Sequence, residues 1–322
     1  MYSMLKVLTS HKGKTHRLSL SAAIHSKTLT WIDVTNPTAE ELKQISKLFQ
    51  ISEKDMADAL DPEERSRVEE NNKYKLIILR TPSKISQEIE TTPVGIFIMR
   101  NNVLTIHKKT IQSLVEIHNY PEILAHGNQY FITRLIDKMT STYFKLIQKI
   151  DGEIDALEER VFEHGGKKTA MHIFQLKKTL TFFKRSLLSN RETISQVIKM
   201  NVLHLDTKER MNFEDIANDI NQLIDMTNTH KEILTGALEI HASTISNQLN
   251  DAVKKMTVIG SFVLLPTLIA SIYGMNFGQP VTGNSMYNMP ELSWMYGYPF
   301  ALGIMLLSCI ALYLFFKKKK WL

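Results

Sequence analysis

The sequence predicts an α+β domain followed by long coiled-coil-like helices and two C-terminal transmembrane helices. Three observations carry this. Short runs rich in β-branched residues, separated by turn signals, occupy residues 1–125. After residue 127 apolar residues recur at alternating three- and four-residue spacing, the seam of a coiled coil. Two uncharged apolar stretches lie near the C-terminus, at 256–273 and 295–316.

In the first region, the runs at 29–34 (LTWIDV), 75–79 (KLIIL), 94–99 (VGIFIM) and 103–107 (VLTIH) read as strands. Asn101 and Asn102 between the last two read as a hairpin turn. Thr38 and Glu41 follow Pro37 at capping-box spacing and start a helix toward Phe49. Beyond them, Tyr143, Leu146, Ile150, Ile154, Leu157 and Val161 mark one helix, stopped by Gly165 and Gly166. Ile173, Leu176, Leu180, Phe183, Leu187, Ile194 and Val197 mark a second, so the pair reads as an antiparallel hairpin. Its first arm carries Asp151, Glu153, Asp155, Glu158, Glu159 and Glu163, whose plainer reading is a solvated face. A third helix starts near Arg210 and meets no strong breaker before the membrane. Continued through the first span it is about 60 residues and roughly 90 Å long. A helix of that length needs partners, and self-association along the stalk supplies them.

Composition bounds the function. The chain has 322 residues, 43% hydrophobic and 22% charged, but its longest apolar runs all follow residue 255. The part before them is long enough for a real core. Of the net charge of +6, four charges sit together at 317–320, all lysine. No aromatic-interleaved basic patch or zinc-finger spacing occurs, which argues against a nucleic-acid partner. Cys309 is the single cysteine, so no disulfide forms within one chain and a cysteine metal site is disfavoured. Residues 1–20 carry Lys, His and Arg without an apolar stretch and do not read as a signal peptide. No P-loop, kinase signature, nucleophile elbow or zinc-protease motif appears, so an enzyme is not expected.

The apolar stretches are roughly 27 and 33 Å long as helices, enough for a hydrocarbon core. Pro266 lies inside the first, where a membrane helix tolerates it. Trp294, Tyr296, Tyr298 and Trp321 flank the second as interfacial anchors. Lys254 and Lys255 precede the first span and the four lysines follow the second, while residues 277–293 hold no Lys or Arg. The positive-inside rule then places both termini in the cytoplasm of a cell-membrane protein and the short loop outside.

Helical spacing carried into the first span aligns Asn250, Val253, Thr257, Gly260, Leu264, Thr267 and Ser271, a mostly small or hydroxylated stripe. Val258, Phe262, Leu265, Ile269 and Ile272 form an opposite, bulky face of lipid-like character. Such a stripe serves either tight helix packing or a water-lined pore with hydrophobic constrictions. Gly274, Met275 and Asn276 at its outer end read either as a helix C-cap or as a ring of carbonyls for a hydrated cation.

The C-terminal part resembles the CorA family of divalent-cation transporters. The motifs are NQLN at 247–250, KMT at 255–257, LPT at 265–267, IYGMNF at 272–277, MPEL at 289–292, GYP at 297–299 and FKKKKWL at 316–322. A Gly-Met-Asn tripeptide ending the first of two C-terminal spans is that family's signature, and weaker similarity extends through most of the chain. The resemblance implies a funnel-shaped homopentamer in membrane lipid that passes Mg2+, with Co2+ and Ni2+ as further cargo, and needs no cofactor. It implies a selectivity filter at Gly274, Met275 and Asn276, a polar inner constriction at Asn250, and a hydrophobic gate at Val253, Met256 and Leu264. Thr257 and Thr267 fall on the pore stripe between them. Glu291 falls in the external loop, where it helps attract cations; residues 278–288 lengthen that loop relative to the family. The family's regulatory Mg2+ ligands map onto Asp58 and Asp215. Many relatives carry Glu where Ala57 stands, and Asn218 replaces a later acidic position.

The expected organisation is then a cytoplasmic α/β domain at 1–125, a helical hairpin at 126–205, a stalk helix at 206–255 and a first span at 256–273. An external loop at 274–294, a second span at 295–316 and a basic tail at 317–322 complete it. Two rivals remain: a Zn2+ transporter on the same scaffold, and a membrane-anchored structural or signalling protein without transport. His230 and His241 are the stalk histidines a zinc site would draw on, but eleven residues separate them, about 16 Å along a helix.

Overall fold

The computed structural model describes residues 4–11, 14–85, 88–164, 166–275 and 294–321. In chain order the elements are β1 (Met4–His11), β2 (Lys14–Arg17), α1 (Leu20–Ile24), β3 (Thr30–Thr35), α2 (Ala39–Phe49) and α3 (Glu53–Asp58). There follow β4 (Arg67–Glu70), β5 (Lys75–Ile85), β6 (Glu88–Ile98), β7 (Asn102–His107), α4 (Gln112–Ile117) and a 3-10 turn (Pro121–His126). The long helices α5 (Asn128–His164), α6 (Lys167–Met200) and α7 (Thr207–Tyr273) come next, and α8 (Gly297–Lys318) ends the chain. The chain divides into two units, Met1–Ile240 and His241–Leu322.

Among the described residues of the first unit seven strands form one sheet in the order β2-β1-β3-β7-β6-β5-β4, in which only the β3–β7 pair is parallel. Side chains alternate between its faces. Ile32, Val34, Leu76, Ile78, Leu104 and Ile106 meet Ile45, Phe49 and Met56 from α2 and α3. Trp31, Ile77, Leu79, Val94 and Ile96 belong to the other core, with Leu114, Phe131, Tyr143 and Leu180 from α4, α5 and α6. Because both faces are covered, the central strands read as continuous apolar runs rather than alternations.

The β5–β6 hairpin is longer than its apolar runs suggest and contains Pro82 and Pro93. β4 pairs only with residues up to Ile78 of β5, and β7 pairs with β6 only from Val94 onward. Each proline therefore lies where its strand has one free edge, the place a ladder tolerates it. A Cβ on Gly95 would lie 2.5 Å from that of Ala59, so glycine lets the residue after α3 approach the sheet.

α5 and α6 run antiparallel. The Tyr143 and Phe183 rings stand 5.2 Å apart, and His172 Nε2 lies 3.2 Å from Glu153 Oε2. The first part of α7 completes a three-helix bundle, with Lys177 Nζ donating to Thr235 Oγ1 at 2.8 Å and His230 Nδ1 lying 3.5 Å from Asp151 Oδ1.

One buried polar cluster ties the parallel strands to α4. Asp33 accepts from Thr105 Oγ1 at 2.6 Å and lies 2.9 Å from His107 Nε2 and 2.8 Å from His118 Nε2. Burial alone would raise the Asp33 pKa; the hydrogen bonds of His107 and His118 and the charge of His107 outweigh it. They hold the carboxyl far below its ordinary value. Breaking a buried charged pair on one side leaves the other uncompensated, so Asp33→Ala is expected to cost about 3–5 kcal/mol. Urea unfolding followed by circular dichroism measures it. The sign with pH follows from the lowered pKa: the contribution is present above the ordinary carboxylate value of 3.8 and is lost as pH falls below it. The gap between wild type and variant should therefore narrow in acid.

Candidate functional site

In the second unit the two sides of α7 have different surroundings. Val258 is 5% exposed, and Phe262, Leu265 and Ile269 are half-buried on the same side. There the Phe262 ring stands 6.3 Å from Phe316 near the end of α8, and Phe316 stacks on Trp321 at 5.8 Å. Phe262 of that face thus meets α8 within the chain. Ile272, expected with it, is 41% exposed.

The stripe lies on the opposite side, since residues advance by about 100° each around the helix. Val253, Met256 and Leu264 are 62%, 76% and 69% exposed, and Asn250, Thr257, Gly260, Thr267 and Ser271 are exposed with them. Thr257 Oγ1 donates to the Val253 carbonyl at 2.9 Å and Thr267 Oγ1 to the Val263 carbonyl at 2.6 Å. Their hydrogens are used on the helix, so the oxygens offer lone pairs to whatever the stripe faces. α7 ends in a capped turn, with Gly274 N–H donating to the Ala270 carbonyl at 2.9 Å and Met275 N–H to that of Ile272 at 3.2 Å. Asn276 and Glu291 lie outside the described residues.

The apolar surfaces of α7 and α8 are long enough to cross a hydrocarbon core and are largely exposed within the chain. Aromatic rings gather at the start of α8, with Trp294 at 5.8 Å from Tyr296 and 5.9 Å from Phe300. At its other end Lys317 lies over the Tyr313 ring. Both arrangements suit headgroup depth.

The two carboxylates proposed for regulation sit on different elements of the first unit. Asp58 closes α3, and its Oδ2 accepts from Arg67 Nη2 at 3.0 Å. Asp215 projects from α7 beside a cavity of about 140 Å³ that Asp137 and Asp219 also line. Burial first, and then repulsion from Asp137 and Asp215, raises the Asp219 pKa. Among the described residues no hydrogen bond or ion pair joins Asp58 to Asp215, and Asp58 does not line the cavity beside Asp215. Nor is any group of three or more His, Cys, Asp and Glu arranged there to hold a metal. Carboxylates are the right donors for Mg2+, but among the described residues Asp58 and Asp215 share no site within one chain. Sequence reading missed Arg67, Asp137 and Asp219. Asp219 follows Asp215 by one helical turn and was findable; Arg67 and Asp137 become neighbours only through the fold. His230 is buried near Asp151, and His241 is buried one unit further along the chain.

Residues 26–318 match the family described as CorA-like Mg2+ transporter protein. The cobalt/magnesium transport protein CorA of Methanocaldococcus jannaschii is 31% identical over 301 residues, 91% of this chain and 92% of that relative. The protein of the same description from Thermotoga maritima is 32% identical over 306 residues, 92% of this chain and 84% of its own. The complete structure of the CorA magnesium transporter from Methanocaldococcus jannaschii superposes with a TM-score of 0.86 at 26% identity, covering 99% of each chain. The match over residues 26–318, the superposition over nearly the whole chain and two exposed apolar helices long enough to cross a membrane make this chain a membrane protein of the CorA-like Mg2+ transporter family.

Proposed function

We propose that this protein is a passive channel for hydrated Mg2+, with Co2+ and Ni2+ as further cargo, assembled as a homopentamer. α7 of each copy lines the axis and α8 surrounds it. The observation that carries this reading is the two-sidedness of α7: on its bulky side Val258 is buried and Phe262 meets Phe316 of α8, while its small, hydroxylated side is exposed among the described residues and leads to Gly274 and Met275. Tight packing between copies would favour small residues throughout; exposed Val253, Met256 and Leu264 at intervals suit a hydrophobic gate instead. The names of the relatives as cobalt/magnesium transport proteins supply the cargo.

Mg2+ sheds its waters reluctantly. A ring of neutral acceptors at Gly274, Met275 and Asn276 receives it with its shell, and outward hydroxyl oxygens of Thr257 and Thr267 continue the acceptor path. Both termini are cytoplasmic, so an inside-negative potential drives entry, by about 4.6 kcal/mol per 100 mV for a divalent ion. Asp58 of one copy and Asp215 of a neighbour hold regulatory Mg2+ and keep the assembly closed; when internal Mg2+ falls, the carboxylates repel and the copies loosen. Such a shift requires the closed state to bind the ion more tightly.

The test is Mg2+ uptake into proteoliposomes at low internal Mg2+. Uptake should rise with imposed inside-negative potential and vanish when the potential is collapsed. No flux from correctly inserted protein under any potential would leave the anchoring role as the better description.

A further inference from the structure

We propose that Arg67 competes with Mg2+ for the carboxylate of Asp58 and thereby sets the internal Mg2+ concentration at which the channel closes. This rests on the reading of Asp58 as a regulatory ligand.

Arg67 opens β4 and reaches three carboxylates at once. Its Nη2 donates to Asp58 Oδ2 at 3.0 Å, its Nε to Glu69 Oε1 at 2.7 Å, and its Nη1 to Glu64 Oε1. These contacts raise the guanidinium pKa against the opposing effect of burial, so the charge is permanent. Three negative charges against one positive leave the cluster with two negative charges, the deficit a divalent cation fills.

Within one chain the side chains of Arg67 and Asp58 are 26% and 29% exposed, so the chain itself does not seal the pair from an arriving ion. Mg2+ holds its oxygen ligands at about 2.0–2.1 Å. A guanidinium on Asp58 Oδ2 blocks that approach, and metal binding there exchanges one cation for the other. Arg67 keeps Glu64 and Glu69 when it lets go of Asp58, so the exchange strands no charge. An arginine with a single carboxylate partner could not yield so easily.

The test uses the purified full-length protein and reads the Mg2+ concentration that half-protects it from limited chymotrypsin digestion. Removing a unit charge about 6 Å from a divalent ion in a water-like dielectric is worth about tenfold in affinity. Arg67→Met should therefore lower the midpoint about tenfold, and Arg67→Lys should stay within about threefold of wild type by the same charge argument. Asp58→Asn should raise the midpoint, and Arg67→Met added to Asp58→Asn should lower it by clearly less than about tenfold, because the competition for the Asp58 carboxylate is gone. A purely structural arginine would alter thermal unfolding in EDTA without this pattern. If Arg67→Met does not fold, Arg67→Gln replaces it with the same expectations. An unchanged or higher midpoint in the Arg67 variant, with Asp58→Asn shifted, overturns the inference and leaves the Asp58 reading standing. An unshifted midpoint in Asp58→Asn overturns both.

Discussion

Asn276→Ala should reduce Mg2+ uptake to the leak of protein-free vesicles while leaving folding and assembly intact. Asn276 follows Met275 in the chain, and in the proposed channel its amide supplies one neutral acceptor per copy. Each such bond to the ion's water shell is worth about 1 kcal/mol net. In the proposed pentamer five are lost together, which slows entry more than about a thousandfold, since each 1.4 kcal/mol is a factor of ten. Proteoliposome flux under an inside-negative potential measures this, with size-exclusion chromatography to show an unchanged oligomer. Full flux in a correctly assembled variant would remove Asn276 from the filter.

Asp215→Lys should make flux insensitive to internal Mg2+. Asp215 is exposed on α7, with Asp137 and Asp219 beside it. Burial first, and repulsion from Asp137 and Asp215 after it, raises the Asp219 pKa. A lysine there supplies a tethered cation among the remaining carboxylates, a stand-in for the bound ion. The internal Mg2+ concentration that halves flux should move by more than about tenfold or cease to be definable, by the same charge arithmetic that applies at Arg67. Measuring efflux against internal Mg2+ in wild type and variant decides it. An inhibition curve that overlays the wild type would take Asp215 out of the sensor.

Much of the fold was legible because its signals are local. The capping box at Thr38 and Glu41 forms in both directions, at 3.2 and 2.7 Å. Gly166 is the N-cap of α6, where a glycine stop was expected. The strands that escaped notice include both sheet edges, β2 and β4, with the sequences KTHR and RVEE. Edge strands carry charge because it prevents pairing with other chains, and the same charge makes them read as loop. Pro82 and Pro93 hid the outer half of the β5–β6 hairpin for the related reason that a proline signals strand interruption until the free edge is known.

By itself the sequence determined the two membrane helices, the stripe on the first and the signature tripeptide at its end, because run length, helical spacing and a contiguous motif are properties of neighbouring residues. Only the tertiary structure brought Phe262 of the bulky face of α7 against Phe316 of α8 and left the stripe exposed among the described residues. It alone joined Asp33 to Thr105, His107 and His118, and Asp58 to an arginine on another element. Those pairings depend on how the sheet orders its strands and where the helices cross it, and no spacing along the chain records that.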